Sequence, residues 1–367
     1  MGDSAIGVNL LWCVPGEVGG SEEYLVRQLL GLAEAAPHFR PTLYVVDRFA
    51  DAHPDLSTLF PTVVASFDGA SRGRRILGEV TWFRRRSSSA DLRHHGGGTA
   101  PLGAVRPYVL TIHDLQYRTY PEYFSRKKRA YLATAIGRSV RGATVVTVPS
   151  DYVRTSVIDA YDADPSKVMV VPHGFEPALL TDVTDAAALR HRFALGDGPV
   201  IVYPAVTNHH KNHRFLLDLL ATRWRDPGLR LVLIGGSGTA EAEVQSANDP
   251  RVLRLGRVAA ADRNGLLKMA EAMVFPSQYE GFGAPLIEAM ALGCPVVASN
   301  ATCIPAVVDG AGLVLPLVID AWSDALERVG RDRSVMVAAG RRRAAQFTAV
   351  ASGAALAAAY AKALGQA

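Results

Sequence analysis

The stretch from Phe275 to Asn300, FPSQYEGFGAPLIEAMALGCPVVASN, reads as strand, loop, helix and strand in immediate succession, an order that few folds accept. Ala272–Pro276 and Pro295–Ser299 are short apolar runs of the kind that form buried parallel strands. Between them, Pro285 takes a first-turn position where its missing N–H costs nothing, and Gly293 supplies the left-handed residue that closes a helix. The unit is therefore βαβ, with the loop Glu280-Gly281-Phe282-Gly283-Ala284 leading into the helix start. Small residues let backbone approach a ligand closely, and the free N–H groups and dipole of the helix end favour a phosphate. Two carboxylates flank this loop, Glu280 before it and Glu288 in the helix, with seven residues between them. Acids beside a phosphate make poor phosphate ligands, so their natural partners are hydroxyls, as on ribose and a sugar.

This arrangement resembles the E-x7-E signature of retaining, GT-B-fold glycosyltransferases, specifically glycosyltransferase family 4. Pro276-Ser277, Glu280-Gly281-Phe282-Gly283, Pro285, Glu288-Ala289-Met290-Ala291, Gly293 and Pro295-Val296-Val297-Ala298-Ser299 fit the family pattern in order. The plainer reading, a βαβ turn with surface glutamates, has to produce all of these coincidences by chance. The resemblance implies an α/β chain of two Rossmann-like, doubly wound parallel-sheet domains facing across a cleft, with the C-terminal helix returning to the N-terminal domain. It places an acceptor-binding domain at 1–178 with the helix 351–367, and a nucleotide-sugar donor domain at 179–350. In the donor domain it implies that Gly281, Phe282, Gly283, Ala284, Pro285 and Leu286 bind the donor, the helix-end amides near Gly283 holding its diphosphate. Glu280 would bind sugar hydroxyls and Glu288 the ribose.

The bulk numbers agree with a two-domain globular enzyme. The chain has 367 residues, of which 49% are apolar and 20% charged. No apolar run approaches the roughly 18 residues that span a bilayer, and Met1-Gly2-Asp3-Ser4 lacks the basic start of a signal peptide. Cys13, Cys294 and Cys303 are odd in number and lack metal spacing, as expected of reduced, buried thiols in a cytoplasmic enzyme. Net charge is +4, and the excess sits in runs in the first half: Arg72, Arg74, Arg75; Arg84, Arg85, Arg86; Arg126, Lys127, Lys128, Arg129. Solvated helix faces, an anionic membrane surface and a phosphate-bearing acceptor all remain open as explanations. Nucleic acid ranks last, since no recognition motif accompanies the charge.

In the first half, Ile6–Val14 reads as a strand, and Ser21 as the N-cap of a helix carrying Leu25, Leu29, Leu30 and Leu32. Gly19 and Gly20 lie in the loop between, which in the resembling family meets the donor's diphosphate and the acceptor. Arg40–Val46 is a second strand, and the basic, serine-rich residues 68–90 carry a loop or helix on the acceptor side. Asp91–Thr99 holds His94, His95 and three glycines, and two readings stand: an acceptor-binding loop, or a flexible turn with solvent histidines. The two rings point opposite ways if extended, which argues against a two-histidine metal site. Tyr108–Ile112 is a strand with His113-Asp114 at its carboxyl end, where open parallel sheets bind ligands. A capping pair is the plainer reading of His113-Asp114, whereas the family's histidine here faces sugar and acceptor. Arg126–Arg141 reads as a basic helix, Ser150 as the cap of the helix Tyr152–Ala160, and 175–195 as the interdomain linker.

In the second half, Val200–Ala205 opens a new parallel sheet, and Lys211-Asn212 occupies the family's basic position after that strand. A lysine there acts as a point charge on the leaving diphosphate. Two departures stand out. Val206 lies near the place where relatives carry an arginine, with His209, His210 or Arg214 as substitutes, and Ala306 follows Pro305 where many carry an acid. Backbone near Arg257-Val258 meets the nucleotide base in the family. Asp262 reads as an N-cap, and Ala354–Leu364 as an Ala-rich helix that either returns to the first domain or oligomerises.

No Asp-x-Asp pair ends a strand, so the expectation is a metal-independent enzyme that needs no cofactor beyond its nucleotide-sugar co-substrate. No motif side chain is an obvious nucleophile, which favours front-face transfer with His113, Lys211 and Glu280 as the catalytic group. GDP-mannose is favoured over UDP-sugars as donor. A glycan, lipid-linked or small-molecule acceptor of envelope synthesis is the expected partner, handled in the cytoplasm with possible contact at the inner membrane face. An inactive nucleotide-sugar-binding partner protein and a GT-B-fold epimerase are the rival readings.

Overall fold

In the computed structural model, which describes residues 4–67, 69 and 71–366, the chain forms two compact units. The first runs to Gly174 and includes the chain from Thr348 onward; the second is Phe175–Phe347.

The described residues of the first unit carry seven strands: β1 (Ile6–Asn9), β2 (Thr42–Val45), β3 (Thr62–Val64), β4 (Leu92–His95), β5 (Tyr108–Thr111), β6 (Val145–Val148) and β7 (Val168–Val170). They pair in the order β3-β2-β1-β4-β5-β6-β7, every pair parallel. Those of the second unit carry β8 (Val200–Pro204), β9 (Arg230–Ile234), β10 (Val252–Gly256), β11 (Ala272–Phe275), β12 (Val296–Ser299) and β13 (Leu313–Leu315). Their order is β10-β9-β8-β11-β12-β13, again all parallel. Both are doubly wound sheets, whose strand order reverses beside β1 and beside β8. Ligands bind such sheets at the carboxyl ends of the strands that flank that reversal.

Several expectations are corrected. The first strand ends at Asn9, not Val14. Leu10, Leu11, Cys13 and Val14 are fully buried but lie in turns, so the apolar run marks core rather than strand. The first helix is Gly20–Ala35, and Gly19, at φ 61°, caps it with backbone alone, while Ser21 falls inside its first turn. Asp262 is the third residue of the helix Ala260–Met269, and its carboxylate holds Thr184 and Arg192 instead of capping. The segment 175–195 is no free linker. Its helices Ala178–Thr181 and Ala186–Arg192 bury Leu179 and Leu189 in the second unit's core.

The C-terminal helix, Ala349–Ala363, belongs to the first unit and buries Leu356, Ala359 and Tyr360 there, so its apolar face is spent internally. It packs on Gly20–Ala35 at near backbone contact: a Cβ on Gly31 would lie 1.7 Å from the Ala349 carbonyl oxygen. Of the segment 68–90, Asp68 and Ala70 lie outside the described residues; the rest holds Arg72–Gly78, a π-helical turn Glu79–Phe83 and Arg84–Arg86. None of the helices among the described residues is long and apolar enough to cross a membrane.

Candidate active site

In the second unit, the loops after β8 and β11 flank the reversal, and the sequence loads both with polar groups. The loop after β11 runs into the helix Ala284–Ala291, with Gly283 at φ 85° as its cap and Pro285 in its first turn. Only glycine takes that backbone angle without strain, so the loop can turn its amides toward the helix axis. The loop after β8 ends in Asn212, another left-handed residue (φ 55°), which caps the helix His213–Thr222.

These loops meet. Lys211 Nζ donates to Glu280 Oε1 at 2.6 Å, both side chains being largely buried. Ser277 Oγ donates to the same oxygen at 2.6 Å, and the Glu280 amide donates to Thr302 Oγ1 at 3.1 Å. Tyr203, buried in β8, donates its hydroxyl to the Lys211 carbonyl at 2.7 Å and lies 3.3 Å from Ser277 Oγ. The Gln278 amide bonds the His210 carbonyl at 2.7 Å, tying loop to loop. Glu280 is thereby held in one orientation by a cation and a hydroxyl, the supported geometry a binding carboxylate needs. Glu288 is 3% exposed, with the Arg263 guanidinium 3.8 Å away. Phe282 and Leu286 face the core, whereas Gly281 and Ala284 remain partly accessible.

None of the proposed substitutes for the arginine missing near Val206 is an unengaged cation. Burial pushes His210 down to about 3, leaving it neutral, and Lys211 beside it adds to the effect. His209 sits 3.3 Å from Glu243, and Arg214 bonds Asp218 on its own helix face. Arg254 forms a forked pair with Glu241, holding that carboxyl down at about 2. Val258 is half-buried past the end of β10, and Ala306 is exposed.

In the first unit, Gly19 and Gly20 have open space where a Cβ would stand, so no packing demand explains them. His113 donates from Nε2 to the Gly96 carbonyl at 2.8 Å and lies among the rings of Trp12 (5.9 Å) and Tyr24 (5.5 Å). Burial lowers its pKa, the Gly96 bond opposing, so the neutral ring presents Nδ1 as an acceptor. Asp114 is exposed and accepts from the Gln116 amide at 2.9 Å, a local turn contact just before the helix Gln116–Thr119.

His94 and His95 are the clearest correction. Both lie in β4, the fourth strand of seven, at 1% exposure, so neither the acceptor loop nor the solvent turn exists. His94 bonds Tyr360 at 2.9 Å and Thr111 at 2.7 Å. His95 turns the other way, toward Asn9 Nδ2 at 3.4 Å and the rings of Phe83 and Tyr108. Burial drives both to about 3. Gly96 and Gly97 follow because a Cβ on either would collide with Leu25 or Trp12. Among the described residues no three His, Cys, Asp or Glu side chains gather as a metal site.

Sequence reasoning passed over Ser277 as a holder of Glu280, together with Thr302, Arg263 and Glu79. Burial raises the Glu79 carboxyl to about 7, against opposing contributions from Arg75 and a hydrogen bond to Asn9. Ser277 alone had a signal, its place in the quoted motif; the others reach their partners from distant segments.

The chain is a glycosyltransferase with the two-sheet architecture of the GT-B fold, and it carries two glycosyltransferase family domains. Residues 18–179 match the family described as Glycosyltransferase Family 4, and residues 198–332 match Glycosyl transferases group 1. The chain is 29% identical over 273 residues to the O-antigen chain mannosyltransferase B of Escherichia coli, covering 70% of this chain and 71% of that one. It is 27% identical over 366 residues to a GDP-mannose-dependent alpha-(1-6)-phosphatidylinositol monomannoside mannosyltransferase of Mycobacterium tuberculosis, covering 89% and 90%. Among solved structures, Anabaena HepE in complex with UDP and glucose superposes with a TM-score of 0.76 at 20% identity, over 98% of this chain and 99% of that one.

Proposed function

We propose that this chain transfers mannose from GDP-mannose to a hydroxyl of a glycan, lipid-linked or small-molecule acceptor, with retention and without a metal. The observation that carries the reading is the Lys211–Glu280–Ser277 cluster at the entrance to the helix Ala284–Ala291. Lys211 and the amides around Gly283 suit a diphosphate, Glu280 the sugar hydroxyls, and Glu288 the ribose. In a front-face step, the bond from the anomeric carbon to the β-phosphate oxygen breaks. The acceptor oxygen bonds the same face, and its proton passes to the departing phosphate. Lys211 then serves by stabilising the charge that grows on that phosphate. The donor choice is supported by the two mannosyltransferase relatives. The acceptor would bind the first unit near Gly19, Gly20 and His113. Contact with the cytoplasmic face of an anionic membrane is part of the reading, supported by exposed Arg72, Arg74, Lys127 and Lys128.

Calorimetric titration with GDP, UDP and ADP, without and then with magnesium, tests it, followed by turnover of GDP-mannose. GDP binding without metal is the expected result. Binding of UDP alone would move the donor to UDP-sugars, and no nucleotide binding would point to an inactive partner protein.

A further inference from the structure

Away from the residues above, the first unit holds an open basin of about 440 Å³ between the helix Gln116–Thr119, the turn Pro121–Tyr123 and the helix Arg126–Gly142. Three guanidiniums line it, those of Arg118, Arg126 and Arg129; Tyr117, Pro121 and helix alanines complete it, and no carboxylate lines it. None of the three arginines has an ion-pair partner among the described residues. Arg129 Nε is buried without a hydrogen-bond partner among them. In the second unit, by contrast, the part-buried Arg254 and Arg251 are paired with Glu241 and Asp249.

The basin is also held in shape. Arg118 lies over the Tyr161 ring at 5.7 Å, and the Tyr117 and Tyr161 hydroxyls bond each other. Ser125 caps the long helix through the Lys128 amide, which fixes where Arg126 and Arg129 project. Three cations gathered without a counter-charge repel one another, and an anion in their midst removes that penalty. A guanidinium presents paired N–H groups that match two oxygens of one phosphate, so three of them suit a group with several oxygens and more than one charge.

We infer that this basin binds a phosphate group, a phosphomonoester or phosphodiester carried by the acceptor or by a lipid headgroup. The inference deepens the proposed function and rests on its reading of the first unit as the acceptor side.

The test titrates the full chain with inorganic phosphate and inositol 1-phosphate, and in parallel sediments it with phosphatidylinositol or phosphatidylcholine vesicles. Binding in the soluble arm identifies a free phosphoryl acceptor, and binding only to phosphatidylinositol vesicles a lipid headgroup; either supports the site. The triple variant Arg118→Gln, Arg126→Gln, Arg129→Gln is expected to weaken that binding about thirtyfold or more. Removing the same charge at exposed Arg84, Arg85 and Arg86 by glutamine should change it by less than about twofold. Arg129→Lys keeps the charge but loses the fork, and should cost about fivefold. Equal losses in the two triple variants, or no phosphate binding by wild type in either arm, would overturn the inference. Circular dichroism and thermal melting of every variant report whether the first unit is folded. Loss of GDP binding in wild type would instead sink the donor reading and leave the phosphate result standing.

Discussion

The two units wind their strands in the same order, yet what stands at the reversal differs. In the second unit it is charge: Lys211 and Glu280 at 2.6 Å, steadied by Ser277, Thr302 and Tyr203. In the first it is neutral ring and glycine: His113 among Trp12 and Tyr24, with Gly96 and Gly97 pressed against Leu25 and Trp12. A site for a diphosphate needs fixed charge before the ligand arrives, because preorganised electrostatics reorganise least during reaction. A site for a neutral hydroxyl needs shape and aromatic face. In the proposed reading one architecture would serve two chemistries, and the difference lies in the loops.

The largest effect that sharpens this contrast is at Lys211. Lys211→Ala should lower kcat/KM for GDP-mannose by about a thousandfold, and Glu288→Ala should also greatly weaken donor use. Near wild-type turnover in either variant would remove the second unit from the chemistry. Next is Gly31→Val, which forces a side chain into the Ala349 carbonyl and should destabilise the first unit by about 3 kcal/mol or more. GDP binding by the second unit should persist. Thermal melting followed by both tryptophan fluorescence and GDP protection checks this, and loss of both together would show that the units unfold as one.

The pH response is a smaller lever on the same comparison. His94 and His95 are held near 3 in the folded chain, below the value of about 6.5 for a free imidazole. The unfolded chain therefore binds more protons between those values. Stability from these histidines is complete above about pH 6.5 and is lost as pH falls toward 3, by up to about 1.4 kcal/mol per pH unit for each. Urea unfolding at pH 7 and 5 should show a steeper loss for wild type than for His95→Phe, and equal slopes would contradict the buried neutral assignment. Smallest is Ser277→Ala. It leaves Glu280 its lysine and should raise KM for the donor about fivefold with kcat little changed.

How far the chain could be read varied with how local the information was. The βαβ unit around Glu280 was legible because proline, two glycines and two apolar runs each act within a few residues. His94 and His95 were not, because a polar pair beside three glycines has the composition of a loop. Their partners come from elsewhere in the chain: Tyr360 and Thr111 take both nitrogens of His94, and Asn9 takes Nδ1 of His95. Ser21 failed as a cap because Gly19's positive φ starts the helix two residues earlier. Asp262 failed because Thr184 and Arg192, some seventy to eighty residues away, take its carboxylate.

By itself, then, the amino-acid order determined the βαβ unit, its loop-to-helix geometry and the spacing of Glu280 and Glu288, all products of short-range backbone preference and strand-helix periodicity, while the doubly wound class came through the family resemblance. Tertiary structure alone decided which lysine reaches which glutamate, that two histidines are core, and that the last helix closes on Gly31. Those outcomes depend on contacts between residues far apart in sequence, and local propensity carries no information about which distant group will arrive.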